Sequence, residues 1–287
     1  MTRIIDTHVH CWDLEKAAYP WLAADESILN RTWRIEEIEE ERKKAGVVAG
    51  VLVQAAGNLE DTELMLDIAN RSSWIKGVVG WLPLTNPRET QRLLEDRFSK
   101  EKYFKGVRHQ VHDEKDPEWL LQPPVLESLQ LLSDKNIPYD MVGILPAHLR
   151  TVIKLTEKIP GLRLVLDHLN WPPIASGEKF GEWGDLIKVA AQHKNLYAKI
   201  SGLGTASGNF QYRSTAGIQP YVAFAIELFG SRRCFCGSDW PVSMLAATYT
   251  QTWNQVKNMI QQLLPGAERD QVFFSTAKNF YSLETDE

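Results

Sequence analysis

Two histidines near the start of the chain, in Ile4-Ile5-Asp6-Thr7-His8-Val9-His10-Cys11-Trp12, are the first residues whose types and spacing suit chemistry. Side chains alternate faces along an extended strand, so His8 and His10 share one face. Two parallel imidazoles are poor core material. They are good partners for a divalent ion or an electron-rich oxygen, because neutral imidazole is the commonest metal ligand. A bare H-x-H also fits two partly buried structural histidines, so partners must be sought further along the chain. The candidates are Arg108 and His109 in Gly106-Val107-Arg108-His109, His168 in Asp167-His168-Leu169, and Asp239 in Gly237-Ser238-Asp239-Trp240-Pro241.

These residues gain meaning from the elements that must carry them. Apolar β-type runs alternate with helical patterns along the whole chain. The predicted strands cover 3–10, 48–54, 76–82, 105–111, 138–142, 162–169, 196–201 and 233–237. Helical patterns follow each of them, over about 61–71, 125–135, 146–158, 183–193, 221–229 and 250–264 among others, and a short terminal helix is predicted over 269–281. Several strands lack polar alternation, as parallel strands buried on both faces do. Eight β-then-α units at this length predict a (β/α)8 barrel (a TIM barrel), read as a single domain over residues 1–287. An open doubly wound sheet is the alternative, but it wants a glycine-rich phosphate turn after the first strand, and none is present. In a closed barrel the carboxyl ends of the strands form one rim. His8, His10, Arg108, His109, His168 and Asp239 all fall there, and closure brings strand eight, with Asp239, beside strand one.

Composition narrows the function classes. The 287 residues are 44% hydrophobic and 24% charged, with a net charge of −5, ordinary for a soluble globular chain. The acidic balance argues against nucleic acid as a partner. No apolar run approaches the ~20 residues of a membrane-spanning helix. The three cysteines, Cys11, Cys234 and Cys236, offer neither a disulfide framework nor zinc-finger spacing, so the chain reads as reduced and cytoplasmic. Ten tryptophans include Trp12, Trp21, Trp171 and Trp240 beside turns and polar residues, where they can wall a pocket.

Asp6-x-His8-x-His10, Gly106-Val107-Arg108-His109, Asp167-His168-Leu169, Lys199-Ile200-Ser201-Gly202-Leu203 and Gly237-Ser238-Asp239-Trp240-Pro241 together resemble the amidohydrolase superfamily. Within it, the chain is similar to the amidohydrolase-2 branch that contains sugar-acid lactonases and 2-pyrone-4,6-dicarboxylate lactonase. The likeness spans essentially the whole chain. It implies a hydrolase that opens a cyclic ester, a sugar-acid lactone foremost, by attack of water on the carbonyl. A metal-dependent decarboxylase of the same superfamily is an alternative, though that branch keeps a strand-five histidine where Tyr139-Asp140-Met141 has none. A barrel that binds a sugar acid without turning it over is a third reading.

The resemblance also implies roles. Asp239 would act as base, with His8, His10 and His168 stabilising the oxyanion. One divalent ion, zinc first, would sit on His8, His10 and Asp239, with His168 next. Some members of the branch work without a metal, and the absence of a strand-five histidine argues against two ions. Arg108 and His109 would hold a substrate hydroxyl or carboxylate, although adjacent strand residues share a face only where a strand ends. Gln54, Trp12, Lys199 and Arg213 are further substrate-binding candidates. Lys199 reads equally as half of a buried ion pair with Asp140, and Asp167 is expected to face away from His168. His112 reads as a rim residue, and His148 and His193 as solvated helix residues. A homo-oligomer is compatible with the sequence.

Overall fold

The computed structural model describes residues 3–208 and 215–285. Eight strands carry the fold: β1 Ile4–Val9, β2 Val47–Val53, β3 Ile75–Gly80, β4 Phe104–His109, β5 Tyr139–Met141, β6 Leu164–Leu166, β7 Leu196–Ile200 and β8 Cys234–Cys236. They pair in parallel in chain order, β1 through β8. The sheet then closes on itself. Asp239 N donates to His8 O at 2.8 Å, His10 N donates to Trp240 O at 2.7 Å, and the Thr7 hydroxyl donates to Cys236 O at 2.7 Å. Gly237 permits this seam, since a Cβ there would lie 2.6 Å from the His8 Cβ. The result is the expected (β/α)8 barrel.

The helices are α1 Glu39–Ala45, α2 Leu59–Arg71, α3 Pro87–Asp96, α4 Pro123–Asp134, α5 Pro146–Lys158, α6 Gly181–Ala190, α7 Leu203–Ala206, α8 Thr215–Phe229, α9 Tyr249–Leu263, α10 Gly266–Asp270 and α11 Thr276–Phe280. Their starts follow local chemistry. Asn58 accepts from Asp61 N at the head of α2, Asn86 accepts from Glu89 N ahead of Pro87 in α3, and Thr248 accepts from Gln251 N at α9. Their apolar faces, such as Trp253, Val256 and Ile260 of α9, pack against the outside of the barrel.

Inside the barrel lies a second apolar cluster of Ile5, Ala49, Val51, Val53, Val79, Val165 and Phe235. The chain end fills it from below. The terminal helix expected over 269–281 is broken by a π-helical turn, Gln271–Ser275, after which Phe280, Tyr281 and Leu283 join that cluster. Strands β5, β6 and β8 are three residues each, shorter than their apolar runs predict. Among the described residues no helix is long and apolar enough to cross a membrane.

Candidate active site at the carboxyl rim

β1 delivers its histidines through an irregularity. Asp6 pairs with Gly50 and Val9 with Leu52, so β1 spends one residue more than β2 between these points. Such a bulge re-aims side chains. Ile5 belongs to the lumen cluster, and three residues later His8 still faces the lumen. Asp6 turns aside and accepts hydrogen bonds from Ser238 N at 2.8 Å, Tyr249 Oη at 2.9 Å and its neighbour His8 N at 3.2 Å. It thereby holds the β8 end against β1.

Three more backbone features complete the rim. His168 through Trp171 form four consecutive left-handed residues, with φ of 55°, 52°, 54° and 60°. Asp239 is also left-handed, at φ 64°. Non-glycine residues rarely adopt this conformation, and where they do it clusters at functional sites. Between these two lies Gly202, at φ 61°, where a Cβ would sit 2.5 Å from His168 Nδ1 and 2.8 Å from Asp239 Oδ2. Only a glycine fits between them. The left-handed turn has a further consequence. Asp167 faces inward by alternation, two residues after the lumen-facing Val165, and the turn brings His168 to the same side, which corrects the expectation that Asp167 faces away.

The side chains converge tightly. Asp239 Oδ1 lies 3.5 Å from His10 Nε2, 3.7 Å from His8 Nε2 and 3.9 Å from His168 Nε2. The two β1 rings meet at 3.1 Å, Nε2 to Nε2. His10 Nδ1 stands 2.7 Å from the Val53 carbonyl, which can only accept, so that nitrogen carries the proton and Nε2 turns a lone pair inward. His168 is steadied by the Ser201 hydroxyl at 2.9 Å. Burial holds His8 well below the usual imidazole range, against the pull of Asp167, and takes His10 down to about 3. Both rings are therefore neutral at physiological pH. Burial also raises the Asp239 carboxyl to about 6, while His168 and Arg108 oppose the rise.

His8, His10 and Asp239 form a group whose donor atoms lie within 4.8 Å of one another. Four donors about 2.0–2.1 Å from a shared ion at tetrahedral angles are separated by about 3.4 Å. The separations here, 3.1, 3.5 and 3.7 Å, bracket that edge length. Two neutral imidazoles and a carboxylate also suit zinc chemically, so the residues fit a single divalent ion.

Beneath this cluster lies a buried charge network. Lys199 Nζ donates to Asp140 Oδ2 at 2.6 Å and sits 2.7 Å from Asp167 Oδ1 and 3.3 Å from His8 Nδ1. Tyr281 Oη, from the chain end below, donates to Asp140 Oδ2 at 2.6 Å. Arg108 donates from Nε to Gln54 Oε1 at 3.1 Å and from Nη2 to the Gln54 carbonyl, and its Nη1 lies 3.3 Å from Asp167 Oδ2. Lys199, Asp140 and Asp167 are all fully buried.

Above the cluster a cavity of about 320 Å³ opens to solvent, with His10, Arg108, His168 and Asp239 at its floor and Trp12, Trp21 and Trp171 among its walls. A larger cavity of about 490 Å³ lies beyond Gly202 and Gly204, between α8 and α9. Among the described residues that line it, Ser201, Ser243, Gln251 and Gln255 supply polar groups and none is titratable.

The sequence candidates thus separate. His8, His10, His168, Asp239, Arg108 and Trp12 meet at the mouth. Gln54 and Lys199 lie beneath it and touch Arg108 and His8 rather than the cavity. His109 turns outward. It stacks on Trp119 at 4.1 Å, accepts from Trp81 Nε1 at 3.1 Å and bonds Glu114 at 2.7 Å, as strand alternation next to an inward Arg108 requires. Arg213 lies outside the described residues. His112 borders the cavity. His148 is not solvated but buried, its Nδ1 accepting from the Ile144 and Leu145 amides to start α5. Trp21 walls the cavity, as its place beside a turn suggested, whereas sequence reasoning missed Gln110 and Ile144, which come from loops, and Thr205, which comes from the one-turn helix α7, because none of these stretches carries a periodic signal.

Comparison with known proteins agrees with this architecture. A model of the amidohydrolase family matches residues 5–283. An L-fucono-1,5-lactonase from Burkholderia ambifaria is 30% identical over 99% of this chain and 97% of its own length. An L-rhamnono-gamma-lactonase from Scheffersomyces stipitis is 23% identical over 98% of this chain and 99% of its own. The crystal structure of an amidohydrolase from Burkholderia multivorans with bound zinc superposes with a TM-score of 0.89 at 27% identity, covering 98% of this chain and 99% of that one. With a family model spanning nearly its whole length and a barrel rim that gathers two β1 histidines, a β6 histidine and a β8 aspartate, this chain belongs to the amidohydrolase family.

Proposed function

We propose that this protein is a lactonase that opens a neutral sugar-acid lactone. The observation that carries the reading is the placement of Asp239 among His8, His10 and His168 at the floor of a lactone-sized, aromatic-walled cavity. Full-length likeness to L-fucono-1,5-lactonase and L-rhamnono-gamma-lactonase supports the same class of substrate.

Ring opening needs an activated water, a polarised carbonyl and a proton for the departing ring oxygen. Asp239, with its carboxyl near 6, is ionised at neutral pH and basic enough to take a proton from water. It returns that proton to the ring oxygen as the acyl–oxygen bond breaks. His168, held by Ser201, and the Arg108 guanidinium border the place where charge develops on the carbonyl oxygen. A divalent ion such as zinc, held by His8, His10 and Asp239, would supply Lewis-acid polarisation and a more acidic water. Trp12, Trp21 and Trp171 present apolar faces to the sugar ring and limit access of bulk water.

Charge at the mouth bears on substrate choice. Arg108 is already committed to Gln54 and Asp167, while Asp113 and Asp239 both border the cavity. Such a rim favours an uncharged polyhydroxy lactone over a dicarboxylate. The decarboxylase reading is disfavoured because the carboxylate β5 does offer, Asp140, is engaged by Lys199 and Tyr281. The test is a panel of 1,4- and 1,5-aldonolactones in a pH-indicator assay. Acid release without CO₂ supports ring opening. CO₂ release from hydroxybenzoates, or tight binding without turnover, would replace this reading with one of its rivals.

A further inference from the structure

His8 has two sets of polar neighbours, and they favour opposite tautomers. In the first set, Lys199 Nζ donates to Nδ1 at 3.3 Å, and an Nε2 proton points to the bare Nε2 of His10 at 3.1 Å. His10 can accept because its own proton lies on Nδ1, against Val53 O. The chain from Lys199 through His8 and His10 to Val53 then runs in one direction with every donor matched to an acceptor. In the second set, Nδ1 carries the proton and faces Asp167 Oδ1 at 3.5 Å, while the bare Nε2 accepts from Arg108 Nη1 at 3.4 Å. Asp167 Oδ1 is ready for that proton. It is buried and receives no well-aligned hydrogen bond among the described residues, despite its closeness to Lys199. The distances of the first set are shorter than those of the second.

Only the second set leaves a lone pair on His8 Nε2, which an ion could take in place of the long Arg108 contact, since a protonated nitrogen cannot be a ligand. We propose that His8 is a two-state imidazole whose tautomer gates the ion site: Lys199 selects the Nε2–H form, which closes Nε2 onto His10, and Asp167 selects the Nδ1–H form, which opens it. The ring is neutral in both states. One proton leaves Nε2 and one is gained at Nδ1, so the exchange releases none. Lys199 is a positioning residue in this scheme, acting on the site only through His8. The affinity for the ion is lowered by the fraction of molecules in the closed form. The chain therefore holds its ion more loosely than its three ligands alone would.

The inference rests on the reading that His8, His10 and Asp239 hold a divalent ion, and its test keeps the two apart. The protein is labelled with ¹⁵N-histidine, stripped with EDTA and then titrated with zinc, and the His8 nitrogens are identified by loss of their signals in His8→Gln. Long-range ¹H–¹⁵N correlation should show His8 protonated at Nε2 in the stripped protein and at Nδ1 after one equivalent of zinc. In Lys199→Met the Nδ1–H form should appear without zinc. Competition with a chromophoric chelator should show zinc bound about tenfold or more tightly by Lys199→Met, as expected if the open form is about a tenth of the population or less. Asp167→Asn should weaken zinc binding by about 10–100-fold, the usual effect of losing an outer partner of a metal-bound histidine. A merely electrostatic Lys199 would shift affinity and leave the tautomer unchanged, and that result overturns the proposal. Should Lys199→Met fail to fold, an unchanged His8 tautomer between stripped and loaded wild type overturns it equally. Zinc uptake with no tautomer change leaves the ion site standing; no zinc uptake by any variant removes the ion site and the proposal together.

Discussion

The two ends of this barrel are built from the same eight strands and solve opposite problems. The lower end is closed by Phe280, Tyr281 and Leu283, which pack on Ile5, Val51 and Phe235. It gains stability from apolar burial, and its irregular backbone, the π-helical turn Gln271–Ser275 and the left-handed Ser282 at φ 50°, flanks those apolar side chains rather than polar groups of the site. The upper end buries His8, His10, Arg108, His168 and Asp239 together and places His168 and Asp239 in left-handed backbone. Every feature there that costs stability also aims a polar group at one point. Conserving the fold and running the chemistry are thus assigned to different ends, as barrel enzymes generally arrange them.

That division can be broken at either end. The largest effect expected is on catalysis. Asp239→Asn should lower kcat/KM on the best lactone by about 10³-fold, within the range for loss of a general base, with thermal stability unchanged or higher. Differential scanning calorimetry beside the kinetics checks both halves, and a destabilised but active variant would contradict the division. The mirror experiment is Phe280→Ala. Truncating this buried ring should cost about 3–5 kcal/mol in chemical denaturation while leaving KM within about twofold, because the site above keeps its geometry.

Gly202→Ala tests the upper end more finely. It adds a Cβ where His168 Nδ1 and Asp239 Oδ2 already crowd and where φ is positive. It should lower kcat by about 10²-fold, the scale of a 1 Å misplacement of reacting groups, with a much smaller effect on lactone-product binding measured by calorimetry. Thermal denaturation should fall by only about 1–3 kcal/mol.

The smallest effect concerns pH. Burial would raise the Asp167 carboxyl, but Lys199, His8 and Arg108 overcome it and hold the group well below the usual carboxylate range. The native pKa therefore lies below the unfolded value of about 3.9. This contribution to stability is whole above about pH 4 and is lost as pH falls through the native value. Urea denaturation from pH 7 to pH 3 should show the gap between wild type and Asp167→Asn constant above about pH 5 and narrowing below about pH 4. A gap that widens in acid would reverse the assigned direction.

Much of this was legible in local pattern. The alternation of β-type runs with helical ones suffices for the barrel, because parallel strands buried on both faces must be apolar throughout. The rim residues were legible for a related reason: a histidine or aspartate ending such a run has little structural use there. Asp167 and His109 show the limit of that reasoning. Counting alternation back from an inward His168 put Asp167 outside; in the fold Asp167 faces inward two residues after the lumen-facing Val165, and the left-handed turn beginning at His168 turns that ring inward as well. The same alternation, undisturbed on β4, sent His109 outward to Trp119.

The sequence by itself determined which residue types stand at the strand ends and that β1 and β8 must meet, since both follow from chain order and from where water is excluded. Tertiary structure alone decided which of those groups come within reach of one another. The partners of His8 come from positions 10, 108, 167, 199 and 239, and which lie near 3 Å depends on a bulge in β1, a left-handed turn after β6 and the missing side chain of Gly202. No spacing along a chain encodes such contacts, because they arise from backbone conformations that only the folded neighbours impose.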